Sequence, residues 1–492
     1  MRNAGILLPI SSLPSSHGIG DFGPEAFSFV NHLSHACVRI WQILPFNRLG
    51  YGNSPYQTLS SIAGDEIFIS IDALVEEGCL DAQDVTPFAQ DANRVDYEAV
   101  RQHKAAYFRK AFLYFQSNFS HYESAYEKFL SENPWVYDYS IFSSLHLANG
   151  STSWVKWPPE HRDWILTRNL DAISAYEEEI AFQRFLQFIF YRQWFRLKDY
   201  ANEKGISIMG DIPFYLGLDS VDVWANRDCF LLDETCNPTH VAGVPPDYFE
   251  PTGQRWGNPL YDWKVLEGEG FALWIERLRL NQQVFDSIRI DHFRAFDTYW
   301  KIPVSEETAI LGTWEEAPGY AFFDCLFAAL PDLNLIAEDL GEMREEVFIL
   351  RDHYNLPGMI IMQFILNKGR LPSKRKIAGN KIVYTGTHDN QTSLGWFLAL
   401  PEKWQKRLKW QLKLRGYRGE IVEQLIQYVL DNSAHTAIIP LWDILGLDDS
   451  ARFNTPATLG SPNWEWKLQD FSLLEEKIIP FAQWLKKYGR IS

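Results

Sequence analysis

The sequence is poor in cysteine, has an excess of acid over base, and contains no segment apolar enough to sit in a membrane. Its five cysteines, Cys37, Cys79, Cys229, Cys236 and Cys325, are odd in number and form no CxxC pair. That pattern points away from a disulfide framework and from a zinc site. None of the 12 histidines falls in an HExxH-like spacing, so no metal is implied. No uninterrupted run reaches the roughly 18 apolar residues of a membrane-spanning helix. The opening MRNAGILLPISSLPSS has an apolar run that Pro9 breaks. It is too short for a secretory signal core and suits a first buried strand. A reducing cytoplasm is the expected compartment. The formal net charge is −17, and no basic cluster reverses it locally. Such a chain repels a phosphate backbone, which excludes nucleic acid as the expected partner and leaves neutral ligands compatible. Internal repeats and low-complexity tails are absent as well.

What is present is a sizeable apolar fraction, 46% of 492 residues, and an aromatic fraction of 15%. The first is ample for a large core. The second fits either core packing or flat platforms on which the C–H faces of sugar rings stack, and composition does not separate the two. Domains typically hold roughly 100–200 residues, but α/β barrels run longer as one unit. One large catalytic domain over residues 1–492 is the expectation.

Short apolar runs punctuate the chain: Ala4–Leu8, Val38–Leu44, Ile206–Met209, Phe285–Ile290, Leu333–Ala337, Gly358–Phe364, Lys381–Thr385 and Ala437–Leu441. Runs of this length suit strands buried on both faces of a parallel sheet. Helical spacing fills several of the gaps, as in Glu177–Lys204 before Gly205 and Trp404–Arg415 before Gly416. The pattern predicts an α/β fold of the (β/α)8 TIM-barrel type, with inserted, mainly helical parts and long loops on the C-terminal face. The long gap between the second and third strands predicts a helical insertion over about 65–205, with His103–Phe119 among its helices. A second gap, about 219–281, is rich in Gly, Pro and aromatics and predicts an ordered loop region.

Barrel chemistry sits where strands end. Four candidate strands end in an acid: Asp211 after ISIMG, Asp291 after SIRI, Glu338 after NLIA and Asp389 after IVYTGTH. Any one of them alone reads as a helix cap or turn residue. Four on separate strands, with Arg289 two residues before Asp291 and His388 beside Asp389, read together as a site. Side chains alternate along a strand, so Arg289 and Asp291 should share a side. The chemistry that suits paired carboxylates is glycosyl transfer with retention. One carboxylate attacks the anomeric carbon while another acid protonates the leaving oxygen. The nucleophile must stay charged, which a nearby Arg favours, and the acid must stay protonated, which crowding by carboxylates favours.

At this point the segments RIDHFRAF, IAEDLG, YTGTHDN and GDIPFY resemble the conserved regions of the α-amylase clan. Narrower motifs, ISSLPSSHGIGDFG, WQILPF, YGNSPYQ, GVPPDYFEPTGQRWGNPLYDW, LPGMIIMQF and ARFNTPAT, resemble glycoside hydrolase family 77, the 4-α-glucanotransferases (amylomaltases, or disproportionating enzymes). The likeness runs from about Gly5 to Trp466, with the segments in family order. It implies Asp291 as the nucleophile, Glu338 as general acid and then base, and Asp389 as the third carboxylate that grips sugar hydroxyls. It also implies that Arg289 holds Asp291 ionised, that His388 and Asp211 contact the sugar at the cleavage point, and that Tyr56 stacks under it. Trp256 falls in a loop that in this family covers the glucan, around Tyr248–Trp256. Core packing of a loop is the alternative for this Trp, but the loop offers few apolar neighbours to bury it. His292 and Asn454 are further substrate-binding candidates, His292 with a loop-supporting role as its alternative, and Tyr51 and Tyr97 are candidates for an outer glucan groove.

The same likeness implies no cofactor and no calcium requirement. The expected partners are malto-oligosaccharides, maltodextrin and glycogen- or starch-type glucans. The oligomeric state is left open between monomer and weak dimer. The chain departs from the family pattern at Phe46–Gly50, at Ala295 and Ala457 (usually Gly) and at Gln391 (usually Asp). These positions bear on groove shape and chain-length preference, and no catalytic carboxylate is lost. Three functional classes follow: a glucanotransferase, a hydrolase using the same acids, and a non-catalytic glycan-binding protein. The aromatic loop that would exclude water favours the first, and an intact set of three acids argues against the last.

Overall fold

A computed structural model of the protein describes residues 2–88, 93–246, 250–366, 368–372 and 377–491. Strands are numbered in chain order. Eight of them form one parallel sheet: β1 (Asn3–Leu7), β2 (Ile40–Gln42), β3 (Ser207–Ile212), β6 (Ser287–Ile290), β9 (Leu335–Ala337), β10 (Gly358–Ile361), β11 (Ala378–Tyr384) and β12 (Ser433–Pro440). The others are β4 (His240–Val244), β5 (Gln254–Pro259), β7 (Thr298–Pro303) and β8 (Thr313–Glu316). The parallel sheet runs β10-β11-β12-β1-β2-β3-β6-β9. Its two ends meet where the Ala337 N–H donates to the Pro357 carbonyl at 2.9 Å, which brings the sheet round into a barrel. The predicted (β/α)8 architecture is therefore the observed one.

Each predicted apolar run overlaps one barrel strand, with β1, β3, β11 and β12 extending beyond theirs. The run Gly358–Phe364 overreaches: β10 stops at Ile361 and Met362–Leu366 turns into a helix. An apolar run has no period that marks where strand gives way to buried helix. Asp211, expected just past its strand, lies inside β3. The close approach of the Phe285 ring fixes its neighbour: a Cβ at Gly210 would stand 2.3 Å from that ring.

Between β2 and β3 the chain forms helices Tyr97–Ser117, Phe119–Glu132, Trp135–Ala148 and Glu177–Glu203. The last has two working faces. Phe185 and Phe188 pack on Phe115 of the first helix, while Phe190 and Trp194 pack on Phe22 and Phe46 beside the barrel. It ends at Gly205, whose φ of 74° is the left-handed turn a helix C-terminus takes.

The region 219–281, expected as ordered loop, instead contains β4 and β5. They join β7 and β8 in an antiparallel sheet of order β5-β4-β7-β8, with Val241, Ile302 and Ala309 as its small core. The pairing is long-range, β4 against β7 about sixty residues on, so the local Gly- and Pro-rich composition hides it.

Candidate active site

The mouth of the barrel is built by hydrogen bonds that carry the strand ladder one residue too far. The Asp291 N–H donates to Ile212 C=O at 3.0 Å and the Glu338 N–H to Ile290 C=O at 3.1 Å. Both acids lie just beyond their strands yet remain latched to the neighbouring one. His292 then takes a left-handed conformation, φ 57°, uncommon for a residue with a side chain. That turn aims its backbone N–H at Glu338 Oε2, 2.8 Å away. The Leu340 N–H donates to the other oxygen, Oε1, at 3.0 Å. Glu338 is thus fixed at both oxygens before any ligand arrives.

Arg289 organises the opposite side. Its Nη1 donates to both oxygens of Asp211, at 2.7 and 2.5 Å, and its Nη2 donates to Asp291 Oδ1 at 2.8 Å. The Tyr56 hydroxyl donates to Asp211 Oδ2 at 2.9 Å. Its single hydrogen is then spent, so its contact of 2.9 Å with His388 Nε2 makes Tyr56 the acceptor and puts a proton on Nε2. The same nitrogen lies 3.3 Å from Asp389 Oδ2. Asn454 Nδ2 donates to Asp389 Oδ1 at 2.6 Å. The Tyr56 and His388 rings stack at 5.5 Å and 15°.

The structure therefore links Asp291, Arg289, Asp211, Tyr56, His388, Asp389 and Asn454 in one connected network, with Glu338 held next to it by the backbone of His292. Trp256 and His292 adjoin it, the Trp256 ring standing edge-on to His292 at 4.9 Å. A groove of about 750 Å³ runs past this network, lined by Tyr56, Trp256, Asp291, His292, Asp389 and Asn454 among others. The side chains of Asp291 and Asp389 are 32% and 39% exposed, whereas that of Asp211 is 0% exposed. Asp211 thus serves Arg289 and Tyr56 from below and offers no open oxygen to the groove. Arg289 and His388 are buried too.

Glu338 and Asp389 have opposite electrostatic settings. Burial, together with the negative charge of Asp291, pushes the Glu338 carboxyl up to about 8, against the pull of Arg289 and the two backbone N–H groups. Burial would also raise Asp389, but the His388 imidazole and the Asn454 amide outweigh it and hold that carboxyl at about 2. Burial lowers the His292 imidazole to about 4, leaving it neutral. Among the described residues no group of three or more His, Cys, Asp or Glu is placed to hold a metal ion.

Other placements differ from expectation. Tyr97 is buried and its hydroxyl donates to the Trp464 carbonyl at 2.8 Å, so it braces the groove wall from behind and offers no open stacking face. Tyr248 and the side chain of Tyr51 lie outside the described residues. Two residues went unnoticed in the sequence although ARFNTPAT and its surroundings carry them. Arg452 Nε donates to the Asn454 carbonyl at 2.9 Å and so sets the strap that carries Asn454. Trp464 tilts against Tyr56 and His388 at 6.0 and 6.2 Å.

The model of the 4-alpha-glucanotransferase family (glycoside hydrolase family 77) matches residues 8–473. A 4-alpha-glucanotransferase of Synechocystis sp. is 42% identical, with 95% of this chain and 94% of that protein aligned. The one from Streptococcus pneumoniae is 39% identical over 96% of this chain and 94% of its own length. Among solved structures, an amylomaltase from Streptococcus agalactiae in complex with acarbose superposes with a TM-score of 0.94, at 34% identity and with 100% of both chains covered. The amylomaltase of Corynebacterium glutamicum, at 19% identity and a TM-score of 0.79, covers 99% of this chain and 75% of its own and shares the fold. On the match across nearly its whole length, this chain belongs to the 4-alpha-glucanotransferases of glycoside hydrolase family 77.

Proposed function

We propose that this enzyme moves α-1,4-glucan segments from a malto-oligosaccharide or glucan donor to the 4-hydroxyl of glucose or another glucan, with retention, through a glycosyl ester of Asp291. The observation that carries the reading is the contrast between Glu338 and its neighbours. The buried Glu338 carboxyl stays protonated at neutral pH while Asp389, which lines the groove, stays charged. A carboxyl kept protonated beside charged groups suits the general acid of glycosidic chemistry, and the groove-facing carboxylate that Arg289 holds, Asp291, suits the nucleophile.

In the first step an Asp291 oxygen bonds to C1 of the donor sugar as the C1–O4 bond breaks. Glu338 delivers its proton to the departing O4. Asp389 takes no covalent part; it accepts sugar hydroxyls and stabilises positive charge building on the ring. Arg289, gripped by Asp211, aims Asp291. Esterification removes the negative charge of Asp291, which is the second largest influence raising Glu338. The Glu338 carboxylate left after proton delivery is therefore more stable in the intermediate, and it becomes the base. It takes the proton of the incoming 4-hydroxyl, whose oxygen attacks C1 and expels Asp291.

Water and a sugar hydroxyl compete for that ester. Trp256, half-buried beside His292, supports capture by sugar by narrowing access to the groove. Incubation with maltotriose tests the function. Transfer gives glucose plus a ladder of longer chains, hydrolysis gives shorter sugars only, and unchanged maltotriose contradicts any enzymatic reading.

A further inference from the structure

GDIPFY ends in Tyr215, a residue the mechanism above does not use. Its ring is buried and lines the groove. Its hydroxyl is buried and has no hydrogen-bond partner among the described residues, and the same holds for Nε2 of neighbouring His292. The two rings lie 6.1 Å apart, and the Trp256 ring is 6.1 Å from Tyr215 and 4.9 Å from His292. Buried polar atoms are nearly always satisfied, so two polar atoms without a partner among the described residues, on neighbouring rings of the groove wall, suit a bound ligand as the partner.

The hydroxyl is not there for packing. The Tyr215 ring is held by Phe214 at 4.8 Å and 74° and by Tyr261 at 6.2 Å and 20°. A phenylalanine would make the same ring contacts. Burial keeps the phenol in its protonated form, and His292 is neutral. The station thus carries one O–H that can donate and accept, and one imidazole nitrogen. That suits a neutral sugar hydroxyl and rejects an apolar group in the same place.

Its side of the groove follows from Glu338. The backbone of His292 holds the acid, and the acid protonates the oxygen that leaves and later activates the one that arrives. The Arg289–Tyr56–His388–Asp389 network, by contrast, is tied directly to Asp291, the residue that bonds the esterified sugar. We propose that Tyr215 Oη, with His292 Nε2 beside it, binds a hydroxyl of the acceptor sugar and makes Tyr215 a specificity-determining residue. The inference rests on the transfer reading above.

The test uses the full-length enzyme, maltotriose as donor, and glucose, 2-deoxyglucose, 3-deoxyglucose and 6-deoxyglucose as acceptors. With the wild type, one deoxy sugar should lose about tenfold in acceptor kcat/KM relative to glucose, the scale of a lost hydrogen bond that strands a buried partner. In Tyr215→Phe that particular penalty should shrink to within about twofold of glucose, and the Tm should be unchanged or raised because an orphan hydroxyl is gone. A deoxy profile identical in wild type and Tyr215→Phe overturns the assignment. So does a fall in Tm, which would mean the hydroxyl has a partner within the protein. If wild-type enzyme forms no product with any acceptor, the transfer reading itself fails and takes this inference with it.

Discussion

Asp211 and Asp291 hold the same guanidinium. Arg289 places one nitrogen on both Asp211 oxygens, at 2.7 and 2.5 Å, and the other on Asp291 at 2.8 Å. Asp211 is sealed from the groove and Asp291 faces it, so the buried acid acts as an anchor through which the exposed one is aimed. Asp211→Asn should therefore damage catalysis without touching a reacting atom. We expect kcat/KM to fall on the order of 100-fold, the scale of a small misplacement at the reacting centre. Stability should fall by about 3 kcal/mol, since a buried cation loses a counter-charge. Steady-state kinetics and thermal melts check both, and near-normal turnover would mean that Asp291 alone positions Arg289.

The raised Glu338 carboxyl gives the pH dependence a sign. Glu338 must hold its proton for the first step, so the rate of that step should decline as pH rises through about 8. Stability runs the same way. The folded value lies above the unfolded one, so between about 4.5 and 8 the folded state binds more protons, and stability is lost as pH rises toward 8. Glu338→Gln removes that dependence. The amide nitrogen cannot accept the backbone N–H that one carboxyl oxygen accepts now, so the variant should melt below wild type at pH 5, with the difference moving in the variant's favour at pH 9, while turnover of natural donors is abolished. An equal Tm difference at both pH values would contradict the raised value.

How much of this was legible in the sequence follows from which interactions are local. The barrel strands were legible because strands buried on both faces need continuous apolar runs, and Ile288, Ile290, Leu335 and Ala337 are such residues. Asp291, Glu338 and Asp389 stood out because each follows such a run. The antiparallel sheet was hidden because β4 and β7 are joined by contacts across distant sequence. The burial of Asp211 and the bracing role of Tyr97 were hidden for the same reason: each depends on partners, Arg289 and Trp464, that the sequence does not mark as neighbours. His292 at φ 57° was not legible either, because no glycine announces the turn.

Ala457 is one of several non-glycine residues in the left-handed region, with φ 62°, and it lines the groove between Pro456 and Thr458. A Cβ in this conformation is strained, by roughly 1–2 kcal/mol, part of which glycine returns through its freer unfolded chain. Ala457→Gly should raise stability by up to about 1 kcal/mol. Chemical denaturation measures it, and a clear loss of stability would contradict the strain.

Trp256 should tilt the balance between sugar and water. Its ring stands perpendicular to that of His292, 4.9 Å away, and Trp256→Ala opens that side of the groove. The ratio of hydrolysis to transfer from maltotriose should rise several-fold, on the scale of one lost aromatic contact. Quantified glucose and chain-length ladders give the ratio, and an unchanged ratio would remove Trp256 from the control of water.

The central claim is the glycosyl ester on Asp291. It is tested most directly by treating Glu338→Gln with an α-maltotriosyl fluoride blocked at its terminal 4-hydroxyl. Fluoride leaves without an acid, the blocked sugar cannot act as acceptor, and loss of the base slows breakdown of the ester. Intact-protein mass spectrometry followed by peptide mapping should find one added glycosyl group on the peptide that contains Asp291. A group attached at Asp389 or Asp211, or fluoride release with no adduct at any stage, would contradict the account.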